Sequence, residues 1–343
     1  MIALILASGV ATLVSVLGTQ LLINMLTRRA IGQPIHEDVP EGHLVKAGTP
    51  TMGGIALVAG GLAGYFTANV FIGTFSWTGL AIMGAVAATS VLGFLDDWTK
   101  VSKERNLGLN KTMKSVGLLA VAVGFVLVML WKTNVHRTIS FAQWNDLGWS
   151  LGKIGWSIFA VVLIIGTTNA VNLTDGLDGL AAGSAGVVFA GYVIMGYWIF
   201  RYSDLYGINV GLDLAVVAAA MMGACAGFLW WNAAPAQIFM GDTGSLAIGM
   251  ALAGLALSSS TVLLLPIVGA LFVLETASVI IQVASFRSTG KRVFKMAPIH
   301  HHFELSGWPE TTVIIRLWML TAACTAFGLG LFYREFVRLA GIR

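Results

Sequence analysis

Charge is scarce in this sequence. Aspartate, glutamate, lysine and arginine make up 10% of its 343 residues, where a soluble domain carries roughly 25%. So few charges cannot cover a water-facing surface, which excludes an ordinary soluble protein. Cysteine is nearly absent. Cys225 and Cys324 both lie inside apolar runs, which argues against a disulfide frame or a thiolate metal site. Short alternating segments are missing too, and with them the outer-membrane barrel. The net charge of +4 is modest, and no basic patch of the kind that holds nucleic acid is present. No basic residue precedes the first apolar run, so that run reads as a retained helix and not a cleaved signal.

Apolar residues fill the chain instead, at 57%. They form ten candidate spans, near 2–26, 52–73, 78–95, 114–131, 154–171, 181–200, 212–230, 245–258, 262–285 and 311–333, most close to the ~20 residues a bilayer needs. The 41 glycines often fall within spans, where small residues let helices approach closely in lipid. No internal repeat or low-complexity tract appears. The fold class is therefore an all-α polytopic integral membrane protein, residues 1–343 forming one transmembrane domain. Lysine and arginine concentrate on one set of loops, including Lys46, Lys100, Lys111, Lys114, Arg287 and Lys295. Those loops are then cytoplasmic and both termini lie outside.

The polar residues at the inner boundary carry the chemistry. In "FLDDWTK", Asp96 and Asp97 follow directly on an apolar run from Trp77 to Leu95. Neighbouring helical carboxylates diverge by about 100°, yet both can reach one small target at a helix end. Mg2+ suits them, because it takes hard oxygens from one or two carboxylates plus substrate phosphates. The alternative is a charge pair compensated by Lys100 and Lys103. In "GTTNAVNLTDGLDGLAAG", Asn169, Asn172, Asp175 and Asp178 recur every third residue, so neighbouring members share a helix face. Gly176 and Gly179 would end or bend that helix. Unpaired polar groups at membrane depth cost several kcal/mol, so this series points to a function, with a structural polar seam as the alternative. In "WWNAAPAQIFMGDTGSLAIG", Asp242 stands between Gly241 and Gly244. Glycine-flanked amides at a helix start hold anions, and the carboxylate then implies a bridging cation; Thr243 or Ser245 as a plain cap is the alternative. "GHLVKAGTPTMGG" offers Lys46 with Thr49 and Thr51 in a tight turn, for phosphate or for lipid headgroups. "APIHHHFE" has three consecutive histidines without zinc spacing. Hydrogen bonding to phosphate or sugar oxygens suits them better. Glu275, within a span, reads as an interhelical hydrogen-bonding group.

Together, "KAGTPTMGG", "GFLDDWTK", "NAVNLTDGLDGLA", "FLWWNAAPAQIFMGDTGSLA" and "APIHHHFELSGWPE" closely resemble the phospho-N-acetylmuramoyl-pentapeptide transferase family. That family belongs to the polyprenyl-phosphate N-acetylhexosamine-1-phosphate transferases. The resemblance implies transfer of phospho-MurNAc-pentapeptide from UDP-MurNAc-pentapeptide to undecaprenyl phosphate, giving lipid I and UMP. It implies Mg2+, a homodimer, and a bacterial plasma membrane with the active site facing the cytoplasm. By motif position, Asp96, Asp97 and Asp242 form the catalytic set, with Asp242 and Asp97 toward the metal and Asp96 as base or nucleophile. Lys46, Thr51, Asn172, Asp175 and Gly241 would contact the nucleoside diphosphate. Gly176, Leu177, Asp178, Asn232 and Phe239 would form the uridine pocket, with Phe239 stacking on uracil. Lys100, His300 and His301 would make further phosphate or substrate contacts. Two readings compete: the same chemistry on UDP-N-acetylglucosamine, and a cation-coupled transporter. The histidine loop disfavours the first. Carboxylates gathered at one face, and not at span centres, disfavour the second.

Overall fold

The structure, a computed structural model, describes residues 1–28, 48–73, 75–102 and 108–341. Lys46 lies outside the described residues. The helices are α1 (Ile2–Arg28), α2 (Gly54–Ile72), α3 (Trp77–Ser102), α4 (Lys111–Lys132), α5 (Gly152–Thr174), α6 (Leu180–Arg201), α7 (Ser203–Tyr206), α8 (Gly211–Asn232), α9 (Gly241–Ser258), α10 (Leu265–Val268), α11 (Ala270–Thr289), α12 (Ile299–Glu304) and α13 (Glu310–Leu339). Among the described residues, nine helices are long and apolar enough to cross a membrane. The chain is thus a multi-pass, mostly helical membrane protein.

The remaining expected span, near 245–258, is α9. It has 18 residues and is buried from Asp242 to Ser258. It packs against α3, α5 and α2. Glycine makes this possible. A Cβ on Gly54 would strike the Gly244 backbone, one on Gly93 the Asp242 backbone, and one on Gly249 the Thr168 backbone. Backbones this close gain dispersion contacts that lipid cannot supply.

Several boundaries differ from the sequence expectation. The span near 78–95 continues as helix to Ser102, so Asp96 and Asp97 stand on its last turns. The span near 262–285 is broken at Gly269 into α10 and α11. The all-α expectation needs one addition, a hairpin between α4 and α5. Its two-residue strands β1 (Thr138–Ile139) and β2 (Trp149–Ser150) pair antiparallel. Asp146 builds the connecting turn by accepting from the amides of Phe141 and Ala142.

Met1 and the last turns of α13 lie at one end of the bundle. The α1 backbone at Ser8, Thr12 and Val16 follows Gly223, Gly227 and Trp231 of α8 in parallel. Glu310 opens α13 beside Asp178, while Phe336 near its other end packs on Trp198 of α6 and on Tyr202 just beyond it. The carboxylates of α3 and α9 gather at the opposite end.

Candidate active site

The three aspartates singled out from sequence converge. Asp96, Asp97 and Asp242 are buried, and each offers an oxygen within 4.8 Å of the others. Two come from the last turns of α3 and one from the first turn of α9.

Their environments differ. Asp97 Oδ1 accepts from the Asp242 amide at 3.1 Å, and Oδ2 from the Thr243 amide at 3.0 Å and the Thr243 hydroxyl at 2.7 Å. The carboxylate of α3 therefore caps α9, and neither Thr243 nor Ser245 does so alone. Amides without intrahelical partners and the positive end of the helix dipole favour an anion there. Gly241, at φ +72°, brings its backbone against Asp97, where a Cβ would collide. Asp96 accepts from the Leu109 amide at 2.9 Å and pairs with Lys100 Nζ at 2.7 Å. Gly108 lies so close that a Cβ there would meet the Asp96 oxygens at 2.5 Å. Asp242 Oδ1 accepts from Asn172 Nδ2 at 2.7 Å. Its Oδ2 meets Lys100 at 3.2 Å and also Lys114.

Among the described residues two ammonium groups face three buried carboxylates, so carboxylates outnumber their cations there. Asp175 reports that field. Its residue is partly exposed, but its carboxyl is desolvated and sits near Asp242, Asp97 and Asp178. Burial first, then those charges, push it up from 3.8 to about 8, with Lys100 pulling the other way. Hard oxygens at this spacing with unmet negative charge fit Mg2+. Lys100 and Lys114 occupy positions on Asp242 where a cation would be held.

The other expected residues fall around this centre. Pro50, Gly53 and Gly54 pair by backbone with Phe239 and Met240, which sets buried Thr51 beside the start of α9. Asn232 donates to the Ile238 carbonyl at 2.9 Å. Asp178 accepts from the Ala236 amide at 2.9 Å. Leu177 packs its side chain among Leu180, Leu271 and Val313. The series from Asn169 to Asp178 does not stay on one helix, as its glycines predict. Helix α5 ends at Thr174, and Gly179 turns the chain with φ +75°. Only Asn172 reaches Asp242 directly.

The histidines do not share one target. His300 Nδ1 meets Glu275 Oε2 at 3.0 Å, both side chains fully buried, and Gly176 leaves room for the other edge of its ring. His301 Nδ1 meets Glu304 at 2.7 Å. His302 accepts from the Lys295 amide at 3.1 Å. Glu275 is thus hydrogen-bonded as expected, but to the short helix α12 and not to another span. Sequence reasoning missed Lys114 and Gly108. Lys114 opens an apolar run, where any lysine resembles an inner-face anchor. Gly108 carries no side-chain signal.

Residues 79–260 of this polytopic helical bundle, the carboxylate centre included, match the family model described as glycosyl transferase family 4, which sets the chain among membrane-embedded transferases. Residues 46–58 match signature 1 of the phospho-N-acetylmuramoyl-pentapeptide-transferases. A transferase of that name from Frankia casuarinae is 50% identical, over 98% of this chain and 99% of its own. Those of Frankia alni and Saccharopolyspora erythraea are 49% and 47% identical, covering 97% and 98% of this chain and 98% of each relative. The chain belongs to the phospho-N-acetylmuramoyl-pentapeptide-transferase family.

Proposed function

We propose that this protein transfers phospho-MurNAc-pentapeptide from its UDP donor to undecaprenyl phosphate, giving lipid I and UMP. One observation carries the reading: Asp96, Asp97 and Asp242 converge beside Lys100 in a chain related end to end to transferases of that name. An acceptor phosphate oxygen attacks the sugar-linked phosphorus, and the bond from that phosphorus to the oxygen departing with UMP breaks. Both reactants are anions, so their repulsion is the main obstacle. Bound Mg2+ would neutralise the diphosphate and stabilise the leaving UMP. Asp242, with Asp97 beside it, would hold the ion. Lys100 and Lys114, released from Asp242, would meet phosphate oxygens. Asp96, the carboxylate without capping duty on α9, would take the acceptor's proton.

The remaining residues support the donor. Thr51, Asn172 and Gly241 border the centre, with Lys46 assigned to the same diphosphate. Gly176, Leu177, Asp178, Asn232 and Phe239 would wall the uridine site, and His300 and His301 would meet the sugar side. For the acceptor's tail, α5, α10 and α11 leave an apolar cleft of about 360 Å³ lined by Phe159, Leu163, Ala170, Pro266, Phe272 and Ile280. Basic residues favour a cytoplasmic site. Both termini would then face outward, with α9 counted as a tenth span and the chain acting as a single-domain homodimer.

The test is a donor panel with defined lipid acceptor. UMP release should require UDP-MurNAc-pentapeptide, polyprenyl phosphate and Mg2+ together. Equal turnover of UDP-N-acetylglucosamine would replace the donor assignment, and full turnover after chelation would remove the metal.

A further inference from the structure

A second polar site lies at the end of the bundle opposite the carboxylates. Two clefts, of about 320 Å³ and about 600 Å³, lie side by side, with Thr133, Asn134, Val135 and His136 lining both. Both are basic. Lys132 lines one lobe, Arg137 and Lys153 the other, and His136 both. Neither lobe has a carboxylate among its described lining residues. Nearby acids do not line the clefts: Asp146 is held in its turn, and Asp213 stands behind the wall, bound to Asn69 and to Ser76 of that wall.

The hairpin register builds this charge. Leu151 donates its amide to the Arg137 carbonyl at 2.9 Å, which brings Lys153, two residues on, toward Arg137. Trp144 stacks on His136 at 4.9 Å, and His136 Nε2 meets the Gly207 carbonyl at 2.8 Å. The ring is thereby fixed as one wall. A second observation points to a ligand. Ser258, the last residue of α9, lines the lobe of Lys132, and its hydroxyl is buried with no partner among the described residues.

The geometry points to a binding site for the phosphate of an anionic phospholipid headgroup in the leaflet away from the carboxylate centre. Lys132, Arg137 and Lys153, with no ion pair among the described residues, suit an anion. Depth selects a lipid over a soluble phosphate. Exposed Trp77, Trp131 and Trp149 surround this end, and tryptophan collects at headgroup level. Lys132 lies over the Trp77 ring at 5.4 Å, at that same boundary.

Hydrogen exchange of the full chain in neutral detergent tests this, with micelles carrying phosphatidylglycerol, phosphatidylcholine of the same chains, or added inorganic phosphate. Peptides spanning 133–153 should exchange more slowly with phosphatidylglycerol than with the other two. The Arg137→Ala, Lys153→Ala pair should need about tenfold more phosphatidylglycerol for the same protection. Arg137→Lys with Lys153→Arg should keep it. UMP release should stay at wild-type level in both pairs, which establishes that they fold. Undiminished protection in the alanine pair, or no protection in the wild type, overturns the site. Equal protection by inorganic phosphate overturns the lipid occupant.

Discussion

Asp96 and Asp97 are chemically identical neighbours with different tasks. Asp97 is committed to the start of α9 through three accepted hydrogen bonds. An amide at that position would point an N–H at N–H donors. Asp97→Asn should therefore lower stability by about 1–2 kcal/mol, a typical cost for a lost cap, and weaken Mg2+ binding by displacing Asp242. Asp96→Asn removes a like charge without touching the cap. Its Tm should stay at or above wild type while UMP release falls steeply. Thermal scans and rates on the two variants check this, and equal Tm losses would refute the division. Asp175 supplies a pH signature. Its carboxyl is raised from 3.8 to about 8, so between those values the folded metal-free chain holds more protons than the unfolded one. That contribution is fully present at low pH and lost as pH rises toward 8. In chelator, Asp175→Asn should gain Tm relative to wild type between about pH 5 and 8. A constant difference would contradict it.

At the scale of elements, α12 is held to α11 by one buried pair. Glu275 and His300 are fully buried, and Glu275 Oε1 and His300 Nε2 have no other partner among the described residues. Glu275→Ala would leave His300 unpaired, at a cost of about 1–3 kcal/mol. Glu275→Gln should restore most of that stability, because an amide oxygen can accept from the ring. Proteolysis between α11 and α12 should speed up in the alanine variant only. Sequence showed these parts unevenly. The apolar runs marked the long helices, because lipid enforces length and hydrophobicity together. The extension of α3 through Lys100 was hidden, since polar last turns look like loop. The break at Gly269 was hidden because α10 and α11 are both apolar. Glu275 announced itself as a lone charge in a span, but nothing local named His300 as its partner.

For the molecule as a whole, the centre exists only when α3, α5 and α9 are packed, so a cation bound there should stabilise the entire bundle. Mg2+ at about a hundred times its dissociation constant should add about 2.7 kcal/mol. Scanning calorimetry should show that rise in wild type and little of it in Asp242→Asn. The three aspartates were legible one by one as polar residues in an apolar chain. Their meeting was not, because Asp97 and Asp242 are joined across 145 positions of sequence. Lys114 was invisible for the same reason, being 128 positions from its carboxylate.

The glycines around the start of α9 also bear on how the protein can change. Any codon change that replaces a glycine adds at least a methyl group. At Gly54, Gly93 and Gly241 that methyl would enter backbone or the Asp97 carboxylate. Drift in the gene cannot reshape this end of the centre one base at a time. Resistance to a compound lodged there would have to arise at positions around the centre that already carry side chains.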